Sequence, residues 1–411
     1  MPSSGGSPMT ATKTATARGS VWEVFRVFLK LGLTSFGGPI AHLGYFRHEL
    51  VERRKWVDDK EYADLVALCQ FLPGPASSQV GFGLGLHRAG PLGALAAFLA
   101  FTLPSAALLV AFAAGASLFQ GPVGAGILTG LKIVAVAIVA QAVWGMAKSL
   151  TPDRERASIA VGAALAAILL AGSLGQITGI VLGALAGLFL CRAGTGAVTG
   201  SMRFTVSRTT GAACLGLFLV LLLGLPVLAA ATGSGGAALF EAFYRAGALV
   251  FGGGHVVLPL LQAGVVDPGW VTPEQFLAGY GAAQAVPGPL FTFAAYLGTL
   301  SSAGPGGVAD AAVALAGIFL PGFLLLVGVL PFWNRFRSRP QAQALMRGAN
   351  AAVVGILAAA LYNPVFTTAI TGPGPFCLGL VCFVLLIAWK APPWLVVLVG
   401  AAGGILLGFL G

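Results

Sequence analysis

The 411-residue sequence predicts an all-α polytopic membrane protein made of two homologous repeats of inverted topology, each containing broken or re-entrant helices. Three observations predict this class: an apolar composition, a second half that overlays the first, and helix breakers at matching points of both halves. Hydrophobic residues make up 57% of the chain and charged residues 9%, with a mean hydropathy of +0.91. A single water-soluble core with an ordinary surface does not accommodate that balance. Apolar runs long enough to cross a ~30 Å hydrocarbon layer at ~1.5 Å per residue recur from about residue 90 to the C-terminus.

Residues 1–20 are rich in Ser, Thr and Gly, carry two cations and contain no apolar core, so they read as a disordered cytoplasmic tail rather than a signal peptide. After this tail the chain repeats itself. Phe36-Gly37-Gly38 falls on Phe251-Gly252-Gly253 at an offset of 215, which also places Lys30 on Arg245. At 214, Trp56-Val57 meets Trp270-Val271, Gln70 meets Gln284, and Pro73-Gly74-Pro75 meets Pro287-Gly288-Pro289. At 217, Leu103-Pro104 meets Leu320-Pro321, and at 218 the stretch from Gly130 meets that from Gly348, with Lys132 on Asn350. A drift this small over more than a hundred residues is the pattern of two copies with minor loop changes.

The repeats are assigned to 21–192 and 237–411, with 193–236 as a linker holding a joining transmembrane helix near 209–231. Each copy reads as a Gly-broken segment (21–50 and 237–264), a PGP-broken segment (61–87 and 274–300), two continuous spans and a closing pair of shorter ones. Lys and Arg in the loops orient the copies. After the first broken segment, copy one carries Arg47, Arg53, Arg54, Lys55 and Lys60, while the matching loop "QAGVVDPGWVTPE" has no cation. Between the continuous spans the bias reverses: copy one has "FQGPVGAG" and copy two has Arg335, Arg337, Arg339 and Arg347. With the N-terminus inside, Lys148, Arg154, Arg156, Arg192, Arg203 and Arg208 also fall inside, and the joining helix inverts copy two.

Inverted repeats with paired broken helices point to a secondary transporter whose site lies between the copies near the midplane. Irregular backbone at that depth survives when buried in protein or lining a wet cavity. Glycine packing and proline kinks supply a simpler account of any one break. Lys30 and Arg245 lie about 12–13 Å of helix from their entry points at ~1.5 Å per residue, where a charge is costly. They read as anion ligands or as side chains snorkelling to the headgroups. Lys132 and its counterpart Asn350 add a further polar position inside a span, with Lys132 read as a helix-end anchor or a structural hydrogen bond ahead of an anion ligand. Gln70 and Gln284 each precede a PGP turn by three residues, placed to contact substrate or to satisfy carbonyls freed by the prolines.

Glu23 shares a helix face with Arg26 and Lys30 and reads as their local ion-pair partner. His42, His87 and His255 do not align between copies and read as interfacial or structural, and Arg88 reads as a topology anchor. The net charge of +10 is dispersed between apolar spans, which argues against a nucleic-acid partner. The five cysteines lie singly, with no CxxC pair and no histidine at metal-ligand spacing, so no metal or cofactor is implied. "HELVE" at His48 is not HExxH, and GxSxG is lacking, so the chain does not read as an enzyme.

The "SFGGP" segment with its basic loop and Trp56, the "QFLPGP" turn, "FGGGHVVLP" and "AQAVPGP" together resemble the chromate ion transporter family in its two-domain long form. The resemblance covers nearly all of the chain after the tail. It implies a carrier of the bacterial cytoplasmic membrane that exports chromate and confers resistance to it. The motif positions are Phe36, Gly37, Gly38, Pro39, Gln70, Pro73, Gly74 and Pro75, and in copy two Phe251, Gly252, Gly253, Gln284, Pro287, Gly288 and Pro289. Pro39 is replaced by Gly254 in copy two. Sulfate, a tetrahedron of the same charge, is the nearest competing substrate. One chain suffices for one pathway, an arrangement compatible with a homodimer as well as a monomer, and an anion channel would share the broken helices.

Overall fold

A computed structural model describes residues 19–115, 121–170, 172–191, 204, 206–336 and 339–410. The tail expected over 1–20, apart from Gly19 and Ser20, and the cations Arg192, Arg203 and Arg337 lie outside the described residues. Every regular element among the described residues is helical. Among the described residues, six helices are long and apolar enough to cross a membrane.

The elements follow the same order twice. Copy one runs α1 (Val21–Thr34), α2 (Gly38–Phe46) with a π-helical turn Arg47–Arg53, α3 (Asp59–Phe71), α4 (Ala76–Ala114), α5 (Pro122–Leu150), α6 (Arg154–Leu169) and α7 (Gly172–Leu190). The joining helix α8 spans Arg208–Thr232. Copy two runs α9 (Gly235–Ala248), α10 (Val257–Leu261) with a π-helical turn Gln262–Val266, α11 (Pro273–Ala283), α12 (Phe293–Leu300), α13 (Gly307–Val329), the short α14 (Trp333–Phe336), α15 (Pro340–Ala360), α16 (Thr367–Ala369), α17 (Pro373–Ile387) and α18 (Pro393–Leu410). Helix α4 is interrupted at Ala89 and Gly90, whose φ of −139° and +71° are not helical, so it holds two elements that are separate in copy two as α12 and α13.

Even the caps repeat. Asp58 accepts from the Glu61 N–H while the Glu61 carboxylate accepts from the Asp58 N–H, and Thr272 and Gln275 do the same at the start of α11. Each box satisfies two N–H groups that the first helical turn leaves free.

The copies exchange their closing pairs. Helices α6 and α7 pack on α15 of copy two, and α17 and α18 pack on α5 of copy one. Small residues set the closeness. A Cβ on Gly348 would lie 2.1 Å from the Gly183 carbonyl oxygen, and one on Gly130, its counterpart, 2.1 Å from the Gly400 carbonyl oxygen. In lipid such backbone-to-backbone packing replaces the hydrophobic drive that water would provide. Between the copies, Phe82 and Phe98 of α4 pack with Phe319 and Phe323 of α13, the Phe82 and Phe323 rings stacking at 4.3 Å.

Candidate functional site

The breaks at the repeat interface are made by glycines in conformations that L side chains avoid. Gly37 and Gly38 have φ of +101° and +78°, and Gly252 and Gly253 have φ of +75° and +139°. In the PGP turns Gly74 and Gly288 have φ of +116° and +100°. The flanking prolines remove one N–H each, and the residue before a proline is pushed out of the helical region. Together they end α1, α3, α9 and α11 and start the next segment a few residues later.

Each PGP turn is tied to the Gly break of the other copy. The Gly74 N–H donates to the Val250 carbonyl at 2.8 Å, and the Gly288 N–H donates to the Ser35 carbonyl at 2.9 Å. The four residues are counterparts in pairs, Ser35 with Val250 and Gly74 with Gly288. The packing around them is exchanged in the same way. A Cβ on Gly74 would lie 3.1 Å from Gly322 Cα, and one on Gly288 would lie 2.8 Å from Ser105 Oγ. Ser105 and Gly322 each follow the counterpart prolines Pro104 and Pro321. Pro39 and Gly254 meet each other: Pro39 Cγ is 3.1 Å from where a Gly254 Cβ would stand. That contact accounts for the departure at this position, because a side chain on residue 254 would crowd the Pro39 ring.

The other predicted site residues are distributed more widely. Phe36 and Phe251 are half-buried beside their glycines. Asn350 reaches the copy-two break, with its Oδ1 3.6 Å from a Gly252 Cβ and without a hydrogen-bond partner. Lys132 is half-buried on α5, next to Leu131, whose carbonyl oxygen lies under Gly281 of α11. Gln284 is half-buried with an unpartnered Nε2, whereas Gln70 is exposed at the end of α3.

Both candidate cations have acidic partners. Lys30 Nζ lies 3.9 Å from Glu49, and its side chain is 58% exposed. Arg245 lies 3.3 Å from Glu241 one turn away, with side-chain exposures of 31% and 13%. Glu49 is buried and also accepts from Arg53 and Arg54 at 3.0 and 2.7 Å. Burial alone would raise its carboxyl, but the hydrogen bonds from Arg54 and Arg53 and the Lys30 charge outweigh it and hold the group below the usual range. Glu23, expected to pair with Arg26 or Lys30, instead accepts from Arg88 at 3.2 Å, and the Arg88 guanidinium sits 5.3 Å from the Trp56 ring centroid. Arg88 therefore ties α1 to α4 in addition to any effect on topology.

Gln79 has no role in the reading of the sequence, and His42 is read there as interfacial or structural. Gln79, fully buried on α4, donates to the Pro73 carbonyl at 3.0 Å and to the Gly322 carbonyl at 2.9 Å, joining the copies at the Val250 crossing. His42, also fully buried, places Nδ1 3.4 Å from Ser77 Oγ and its ring beside the Ser35 backbone. Neither aligns with a polar residue in copy two: the counterparts are Phe293 and Val257. Matching between the copies therefore does not mark them, and the signal in the sequence is a polar residue in an apolar helix within a turn or two of a break.

The folded arrangement is that of a multi-pass membrane transporter, with paired irregular segments, half-buried for the most part, where two repeats cross. The chain belongs to the chromate transporter family, which matches twice, over residues 22–188 and 237–405. It is 31% identical to a probable chromate transport protein of Synechococcus elongatus over 94% of this chain and 95% of that one. It is also 31% identical to a chromate transport protein of Pseudomonas aeruginosa, covering 93% and 90%, and 28% identical to one of Cupriavidus metallidurans, covering 92% and 91%. No solved structure matches the chain. The protein is a multi-pass protein of the bacterial membrane, and its relatives are transporters rather than enzymes.

Proposed function

We propose that this protein is a secondary carrier that exports chromate, a divalent oxyanion, across the cytoplasmic membrane and so protects the cell from it. The observation that carries the reading is the reciprocal pair of hydrogen bonds, Gly74 to Val250 and Gly288 to Ser35, by which each copy holds the other at its break. Two equivalent crossings that are linked by few bonds can open in alternation as one copy rocks against the other, and the opposed loop charges support inverted copies. In this reading the N–H groups freed at the breaks, including those of Gly37, Gly38, Gly252 and Gly253, attract the anion. Lys30 and Arg245 supply charge by exchanging Glu49 and Glu241 for the oxyanion. Gln70, Gln284, Lys132 and Asn350 are secondary donors along the path.

The test is radiolabelled chromate uptake into everted membrane vesicles, with excess sulfate as competitor. Saturable uptake that falls at least tenfold in a correctly inserted Lys30→Met, Arg245→Met double variant is expected. Wild-type rates in that variant would remove the two cations from the mechanism. Uptake that rises linearly with concentration would replace the carrier by a channel, and equal competition by sulfate would make the substrate class oxyanions at large.

A further inference from the structure

The two crossings have the same backbone but different unsatisfied groups. Around the Ser35 crossing, Ser35 Oγ and His42 Nε2 are both completely buried and neither has a hydrogen-bond partner. Unpaired polar atoms at such depth are costly, and a site that keeps them free is set up to bond something else. They flank the start of α2, whose N-cap is Gly37 with no side-chain cap, so its first N–H groups are also available. At the Val250 crossing the counterparts of Ser35 and His42 are Val250 and Val257, both buried and apolar.

We infer that the Ser35 crossing is an oxyanion subsite built from neutral donors, namely the Ser35 hydroxyl, the His42 imidazole and the uncapped start of α2, with His42 as its titrating member. The inference rests on the carrier reading above and gives that carrier one chemically distinct half. Opening of the crossing exposes Ser35 Oγ and His42 Nε2 to the anion. Protonation of His42 from the water that enters leaves Nδ1–H on Ser77 Oγ and points Nε2–H at an anion oxygen, a charge-assisted bond that a neutral ring makes more weakly. Helix α4 presents Ser77 and Phe101, and α3 presents Tyr62, whose hydroxyl donates to the Leu43 carbonyl. The π-helical turn carries Glu49, which Lys30, Arg53 and Arg54 already occupy.

The experiment measures chromate and sulfate uptake in everted vesicles at pH 6 and pH 8 for wild type, His42→Gln, His42→Val and Ser35→Ala, at equal amounts of monodisperse protein. Sulfate remains a dianion over this range, so its pH response belongs to the protein. The wild-type KM for sulfate should fall measurably from pH 8 to pH 6, in the direction of the charge-assisted bond that a protonated His42 adds once the crossing opens. His42→Gln keeps a donor and should be flat with pH, while Ser35→Ala should raise KM severalfold at both. His42→Val should raise it about tenfold or more at pH 6. A normal KM and a normal pH response in His42→Gln or His42→Val would overturn the inference with the carrier reading intact. If wild-type vesicles take up neither anion, the carrier reading fails, and equilibrium dialysis of radiolabelled sulfate with purified protein decides the subsite separately. Binding that is lost in His42→Val and Ser35→Ala supports it, and wild-type protein that binds no sulfate overturns it.

Discussion

At the Ser35 crossing the Gly288 N–H reaches the Ser35 carbonyl, with Ser105 against Gly288 and His42 and Ser77 in the same copy; at the Val250 crossing the Gly74 N–H reaches the Val250 carbonyl, with Gly322 against Gly74, and the counterparts of His42 and Ser77 are Val257 and Phe291. The backbone is common to both, down to the left-handed glycines, while the side chains differ in polarity, size and hydrogen-bonding capacity. The difference separates two requirements. Breaking and crossing the helices needs only glycine, proline and a carbonyl, so both copies retain them. Binding something at the crossing needs donors, and the copies diverge there. The second half compensates with bulk, since Phe291, Phe293 and Phe319 occupy positions that hold Ser77, Gln79 and Thr102 in copy one.

Substitutions at the turn glycines should have the largest effect. Valine at Gly288 or Gly74 takes on a φ near +100°, costing at least ~1–2 kcal/mol, and adds crowding of ~1–3 kcal/mol, a large part of a marginal stability. Both variants should lose most of the monodisperse protein recovered from membranes. The milder Gly288→Ala and Gly74→Ala then separate the crossings. The obstacle at Gly288 is a serine hydroxyl, so adding Ser105→Gly should recover part of the loss. At Gly74 the obstacles are the Gln79 amide and the Cα of Gly322, so a change at 322 has no side chain to remove. Equal rescue of both by changes at 105 and 322 would break the comparison.

Next in size is Gln79, which supplies the polar link at the Val250 crossing. Leucine there leaves the Pro73 and Gly322 carbonyls without this donor at ~1–3 kcal/mol each, so the melting temperature of the purified protein should fall by several degrees. An unchanged melting temperature would mean that the PGP turn is held by the Gly74 hydrogen bond alone. The exchange between Pro39 and Gly254 comes third. Gly254→Pro alone should lower membrane accumulation through a ring-on-ring clash of ~1–3 kcal/mol, and Pro39→Gly in the same chain should restore it. Restoration by the swap would establish that the two counterparts share one space; failure of the double variant would place the conflict elsewhere.

The repeat, its order of elements and the positions of all four breaks were legible in the sequence, because glycine, proline and loop cations report backbone requirements that both copies share. The closing-pair exchange was not, since Gly130 against Gly400 and Gly348 against Gly183 are pairings between distant segments with no local mark. Lys30 and Arg245 were found as matched cations, but their carboxylate partners were not. Glu49 lies nineteen residues from Lys30 on a different element, and Glu241 is matched in copy one by Arg26. Symmetry marks what the copies have in common, and His42 and Gln79 lie in what they do not.

Glu49 gives the smallest predicted effect and carries the comparison outward from the crossings. In copy one the π-helical turn after the first break is held by this buried carboxylate, with Lys30, Arg53 and Arg54 around it. The copy-two turn, Gln262–Val266, has no charge and packs Gly264 against Ala242. Because the three cations reach water, the network contributes on the order of 1 kcal/mol rather than the value of a sealed ion pair. The sign with pH follows from a carboxyl held below its ordinary value. Its stabilisation is complete above that ordinary value and is lost as pH falls from there through the lowered one. Thermal unfolding of the wild type should therefore show no contribution from Glu49 to pH dependence between pH 8 and pH 6, and a loss in acid. Glu49→Gln should melt slightly lower at pH 7 and lack that part of the acid loss. A Glu49→Gln protein with an unchanged acid transition would show that the turn is fixed by its packing, as in copy two, and that its charges serve orientation in the membrane instead.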